Sequence, residues 1–97
     1  IYYINFSPHI GHAYTSIACD ILARYNKLLG NDVYFLSGTD EHGQKVEQAA
    51  NNQSLKPQDF ADKMSVQFKD LISFLNCETN DFIRTTETRH KKAAQAL

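Results

Sequence analysis

The stretch IYYINFSPHIGHAYTSIACDILARYNKLLGNDVYFLSG, residues 1–38, decides the fold. IYYIN (1–5) is apolar, β-branched and aromatic, and reads as a buried strand. Pro8 restrains itself and Ser7 and breaks that strand. From Gly11 to Leu29, Ile17, Ile21 and Leu28, with Ala18, Leu22, Tyr25 and Leu29, recur at helical spacing, and Gly30 is a natural stop. VYFLSG (33–38) is a short continuous apolar run, the pattern of a parallel strand covered on both faces. Strand, helix, strand is the crossover that two parallel strands require, so the fold class is α/β.

Downstream, EHGQKVEQAANNQ (41–53) predicts a shorter helix with Val46, Ala49 and Ala50 inward. Pro57 suits the first turn of a further helix that turns Phe60, Met64, Phe68, Leu71 and Leu75 inward and ends at Asn76. DFIRT (81–85) reads as a short strand, and a helix from Glu87 onward would be capped by Thr86 or Thr88. No repeat or linker divides the chain, so residues 1–97 form one unit. Ile1 already reads as strand and KKAAQAL stops as helix, so both ends are expected to be cuts from something longer. A sheet only two or three strands wide would make the piece marginally stable.

Ten Lys and Arg against eleven Asp and Glu give a net charge of −1, which provides no overall positive field for nucleic acid. There is no apolar run of membrane-spanning length and no charged-then-apolar leader, so a cytoplasmic protein without membrane attachment is expected. Cys19 and Cys77 lack any C-x-x-C partner; they read as lone buried thiols in a reducing compartment, with a disulfide as the lesser alternative.

Within the opening unit, SPHIGHAYT (7–15) places His9, Gly11 and His12 between the first strand and the first helix. Ligands of open parallel sheets bind outside the carboxyl ends of the strands. A helix beginning there offers free N–H groups and a positive dipole end to a phosphate. Gly11 lets a flat ring or a phosphate approach the backbone, and His9 and His12 can donate hydrogen bonds to phosphate oxygens. The dipole disfavours a charged imidazole on His12, so the pair would act as neutral donors to charge that grows in a transition state. The competing reading is a metal site, because His9, His12, Asp40 and His42 are all suitable ligands. SGTDEHGQK (37–45) follows the second strand and puts Asp40 on the same rim. There it can hold an ammonium group or cap the next helix.

YYINFSPHIGH resembles the HIGH signature of class I aminoacyl-tRNA synthetases, and GTDEHGQK (38–45) resembles their methionyl branch. The likeness continues through DFIRTTETRHKKAAQ. It implies that the chain is the N-terminal half of a Rossmann-like parallel-sheet catalytic domain. It also implies that a longer parent activates methionine with ATP and Mg2+, giving methionyl-adenylate and pyrophosphate, and then charges tRNA(Met). By position, His9 and His12 match the residues that contact the ATP phosphates, and Gly11 matches the glycine under the adenine. Asn5 lies in the signature. Asp40 matches the carboxylate for the methionine ammonium, Tyr3 the aromatic over the methionine side chain, Ile1 its neighbour, and His42 a position near that pocket. On pattern alone Tyr3 reads as a core aromatic, the usual place of an aromatic in a buried strand.

Lys63-Met64-Ser65 imitates the family's second signature, KMSKS, but falls mid-helix with Met64 inward and Val66 where lysine is needed. Zinc belongs, if anywhere, to the parent, since no ligand cluster of cysteines occurs here. The chain alone is therefore expected to carry half an active site and to be inactive. Alternatives are another class I synthetase, such as a cysteinyl one, or a non-catalytic methionine- or nucleotide-binding module.

Overall fold

The computed structural model describes all 97 residues. In chain order the elements are β1 (Tyr2–Tyr3), α1 (Ile10–Leu28), β2 (Leu36–Asp40), α2 (Gln44–Asn52), α3 (Pro57–Phe74), β3 (Asp81–Arg84) and α4 (Thr88–Ala96). The three strands form one parallel sheet in the order β1-β2-β3. Tyr2 and Tyr3 pair with Thr39 and Asp40, while Leu36–Thr39 pair with Asp81–Arg84. No helix is long and apolar enough to cross a membrane.

The core lies where α2 and α3 pack together and against β2. It comprises Ile4, Val46, Ala50, Phe60, Ala61, Met64 and Phe68. The periodicity of α2 and α3 anticipates it: Ala49 packs on its edge, Pro57 opens α3, and Leu75 caps that helix before Asn76 turns left-handed at φ 54°. The Lys63-Met64-Ser65 imitation is structural, with Met64 in the core and the Ser65 hydroxyl donating to the Asp62 carbonyl within the helix.

Several expectations are corrected. First, β1 has two residues instead of five, although Ile4 beyond it is fully buried. Second, β2 begins at Leu36, later than the apolar run suggests. The Phe35 N–H donates to the Asn80 side chain at 2.7 Å and the Asn80 N–H donates back to the Phe35 carbonyl at 2.8 Å, so Phe35 is tied to the residue before β3 outside the paired ladder. The buried centre of β2 is Ser37, Gly38 and Thr39, and a Cβ on Gly38 would lie 2.0 Å from the Ile83 carbonyl oxygen. Third, α4 is capped by Glu87, not by Thr86 or Thr88; the Thr86 hydroxyl is already committed to Glu41. Fourth, Cys19 is exposed and Cys77 half-buried, both as free thiols.

The rotation of α1 is the largest departure. Its buried residues are Ser16, Asp20 and Ala23, while Ile21, Leu22, Tyr25, Leu28 and Leu29 remain exposed. Polar ties set this face. Asp20 accepts from Arg24 Nε and from the Glu78 N–H, each at 2.7 Å, and Arg24 Nη2 donates to the Asn76 carbonyl at 2.7 Å. Ser16 bonds the Tyr2 hydroxyl. Hydrogen bonds from buried polar groups are costly to leave unmade, so they orient the helix against its apolar pattern.

Burial pushes the Asp20 pKa up, but the bonds from Arg24 and Glu78 outweigh it and hold the carboxyl below its ordinary value. Stability from this tie is complete above about pH 4 and is lost as pH falls through the lowered folded value. Asp20→Ala is expected to cost about 1 kcal/mol at neutral pH and to flatten this acid limb, measured by urea unfolding between pH 2.5 and 7. An unchanged acid limb would refute the tie.

Candidate active site

His9 is the N-cap of α1, with extended backbone at φ −138° and ψ 178°. Its Nδ1 accepts the Gly11 N–H at 3.0 Å, and His12 Nδ1 accepts the His9 N–H at 3.0 Å. This reciprocal arrangement is a capping box in which both side chains are imidazoles. An accepting Nδ1 carries no proton, so the proton of each neutral ring sits on Nε2. The box therefore fixes the tautomer of both rings as Nε2–H donors. Their centroids are 4.0 Å apart.

Aromatic neighbours fix the ring planes. Phe6 stacks on His9 at 5.5 Å, while Tyr2 and Phe68 meet His12 edge-on at 5.4 and 5.0 Å. Tyr2 itself stacks on Phe68 of the core at 5.0 Å, so the site rests directly on the packed centre of the molecule. Burial, and next the neighbouring His9, push the His12 pKa down, which keeps this ring neutral. A Cβ on Gly11 would lie 2.8 Å from His9 Cε1 and 3.0 Å from His9 Nδ1. Glycine is needed there first because the His9 ring folds back over it.

A cleft of about 760 Å³ opens between the start of α1, β1 and the start of α2. This is a volume typical of small-molecule sites. Ile1, Tyr3, Asn5, His9, Gly11, His12 and His42 all line it. Tyr3 is 70% exposed, which removes its reading as a core aromatic. Asp40 is not on the cleft wall; it ends β2, directly paired with Tyr3. Its alternative as a helix cap fails, because α2 is capped by Gly43. His42 Nε2 lies 3.3 Å from the Thr85 carbonyl, which holds the ring against the end of β3. No group of three His, Cys, Asp or Glu side chains is arranged to hold a metal ion, and both Nδ1 atoms of the histidine pair are engaged by the backbone.

Lys45, Thr15 and Ser16 also line the cleft and were not singled out in the sequence. Lys45 lies within GTDEHGQK, and its position in the first turn after that loop was the available signal. No carboxylate lines the cleft, so this wall is donor-rich and suited to an anion.

The profile of the tRNA synthetases class I (M) family matches residues 1–97. The methionine–tRNA ligase of Rickettsia prowazekii (strain Madrid E) is 61% identical over 93 residues, covering 96% of this chain and 18% of that protein. That of Fusobacterium nucleatum subsp. nucleatum is 54% identical over 97 residues, covering all of this chain and 15% of the relative. The crystal structure of Mycobacterium tuberculosis methionyl-tRNA synthetase bound by methionyl-adenylate superposes with a TM-score of 0.94 at 45% identity, covering 97% of this chain and 19% of that one. The chain thus spans less than a fifth of the length of these relatives. With the family profile matched from end to end, the chain belongs to the class I tRNA synthetases, methionyl branch.

Proposed function

We propose that this chain is the signature-bearing part of the catalytic domain of a methionine–tRNA ligase. In the whole enzyme, methionine and ATP give methionyl-adenylate and pyrophosphate, and the methionyl group then passes to tRNA(Met) in the cytoplasm. The observation that carries the reading is the histidine capping box: two Nε2–H donors at one helix start, in a cleft shared with an exposed tyrosine.

The chemistry follows from that placement. The methionine carboxylate attacks the α-phosphorus and pyrophosphate leaves. Negative charge grows on the phosphoryl oxygens, and two fixed, neutral N–H donors stabilise it without proton transfer. The positive end of α1 adds to the same field. His9 and His12 take this role, Gly11 and Asn5 lie under the nucleotide, and Lys45 faces the phosphates. Tyr3 and Ile1, exposed on the cleft wall, cover the methionine side chain, with His42 beside them. Asp40, at the end of β2 against Tyr3, receives the ammonium. Holding both substrates along one sheet edge supplies the positioning that makes attack effectively unimolecular.

Mg2+ usually takes carboxylates together with substrate phosphates. No carboxylate lines this cleft, so the residues here do not form a magnesium site. The chain contains no KMSKS motif, and one wall of the site would come from the rest of the enzyme.

Methionine-dependent ATP–pyrophosphate exchange by the enzyme containing this chain tests the reading. His12→Ala is expected to lower kcat about 100-fold. His9→Asn keeps a good cap while withdrawing the Nε2–H donor, so it should lower kcat similarly with little change in melting temperature. Loss of activity only in proportion to unfolding would refute the donor role. The 97-residue chain alone is expected to show negligible exchange; robust exchange would refute its assignment as half a site.

The lowered His12 pKa gives a pH signature. Burial and the neighbouring His9 favour the neutral ring in the folded state, so the stability tied to it is complete above about pH 6.5 and is lost as pH falls through the lowered folded value. An NMR titration should give a His12 midpoint below that of an unfolded peptide, with Nε2 protonated throughout. A raised midpoint would contradict a ring buried beside His9.

A further inference from the structure

Glu41 stands beside the proposed ammonium holder but does not line the cleft, and its side chain is fully buried. The two carboxylate oxygens receive four hydrogen bonds. Thr39 Oγ1 donates to Oε2 and Thr86 Oγ1 donates to Oε1, each at 2.6 Å, and Arg84 Nε lies 2.9 and 3.1 Å from the two oxygens. The Glu41 N–H donates to Thr85 Oγ1 at 2.9 Å, and Arg84 Nη2 continues to Asp62 on α3 at 2.5 Å. No buried polar side-chain atom is left without a partner.

The location gives this network its meaning. Thr39 and Arg84 are the last pair of the β2–β3 ladder, so the carboxylate clamps these two strands where their ladder ends. Thr39 and Glu41 bond to each other across Asp40, which places both side chains on one side of the chain. Successive residues of a strand alternate, so Asp40 is directed to the opposite side. His42 is held by the same β3 segment through the Thr85 carbonyl. Thr39, Glu41 and His42 are thus tied to the Arg84–Thr86 segment and to one another, with Asp40 held between them.

We propose that Glu41 is a positioning residue: by binding Thr39, Arg84 and Thr86 it fixes the direction in which Asp40 and His42 leave β2, and so sets methionine affinity without touching methionine. This rests on the ligase reading above. A glutamine would place an NH2 where only acceptors fit, leaving one or more of the donors unpaired.

The test is pyrophosphate exchange by the enzyme containing this chain, varied separately in methionine and ATP, with active-site titration of each variant. Glu41→Gln is expected to raise the methionine KM about tenfold, with the ATP KM within twofold. Thr86→Val, which removes one donor at a half-buried position, should raise the methionine KM about threefold, and Thr86→Ser should restore it. If Glu41→Gln does not fold, the Thr86 pair decides. A methionine KM within twofold of the parent's in the folded variants, equal changes in both KM values, or a fall only in the fraction of active sites would overturn the role. If the parent shows no methionine-dependent exchange, the ligase reading fails and takes this role with it.

Discussion

Two imidazole nitrogens close the open end of α1, and the site depends on that closure. A helix start leaves N–H groups without partners, and serine, threonine or aspartate usually supplies the acceptor. Here His9 and His12 supply it to each other's end of the turn. The structural demand settles the chemistry, because the nitrogen that caps the helix cannot also bind a ligand. The remaining nitrogen of each ring is left as a donor with its direction set by Phe6, Tyr2 and Phe68. A cap of serine would stabilise the helix equally well and offer no second donor beyond it.

The same economy recurs at the end of β2, where a buried carboxylate joins strands and helix. A buried ion pair adds little net stability over a hydrophobic replacement, but removing one partner is severe. The arrangement around Glu41 therefore acts mainly to hold geometry. Asp20 does the corresponding work on the opposite flank, where it fixes α1 against the turn before β3.

How much the sequence revealed divides along this line. Apolar periodicity located α2, α3 and the core residues Phe60, Met64 and Phe68, because those helices pack by hydrophobic burial. The crossover and the parallel sheet were legible from the order strand, helix, strand, although Tyr34 and Leu36 of the apolar run are exposed, and His9, Gly11 and His12 line the cleft. The buried face of α1 was not legible: it is chosen by Asp20, Arg24 and Ser16, whose partners lie 14 to 58 residues away. Long-range hydrogen bonds leave no periodic trace. For the same reason Glu41 read only as the first residue of a helix that in fact begins at Gln44, and the Thr39, Arg84 and Thr86 that bury it could be named only from coordinates.

The brevity of β1 has a dynamic consequence. Tyr2 and Tyr3 make the sheet's shortest ladder, and Tyr3 is mostly solvated, whereas β2 and β3 share a four-residue ladder locked by Arg84. Local opening follows the weakest cooperative unit. The exposed Tyr3 side chain can move on the cleft wall while Tyr2, stacked on Phe68, and the buried Ile4 hold the strand to the core. Ligand entry would then require only that side chain to turn, with the strand beneath it in place.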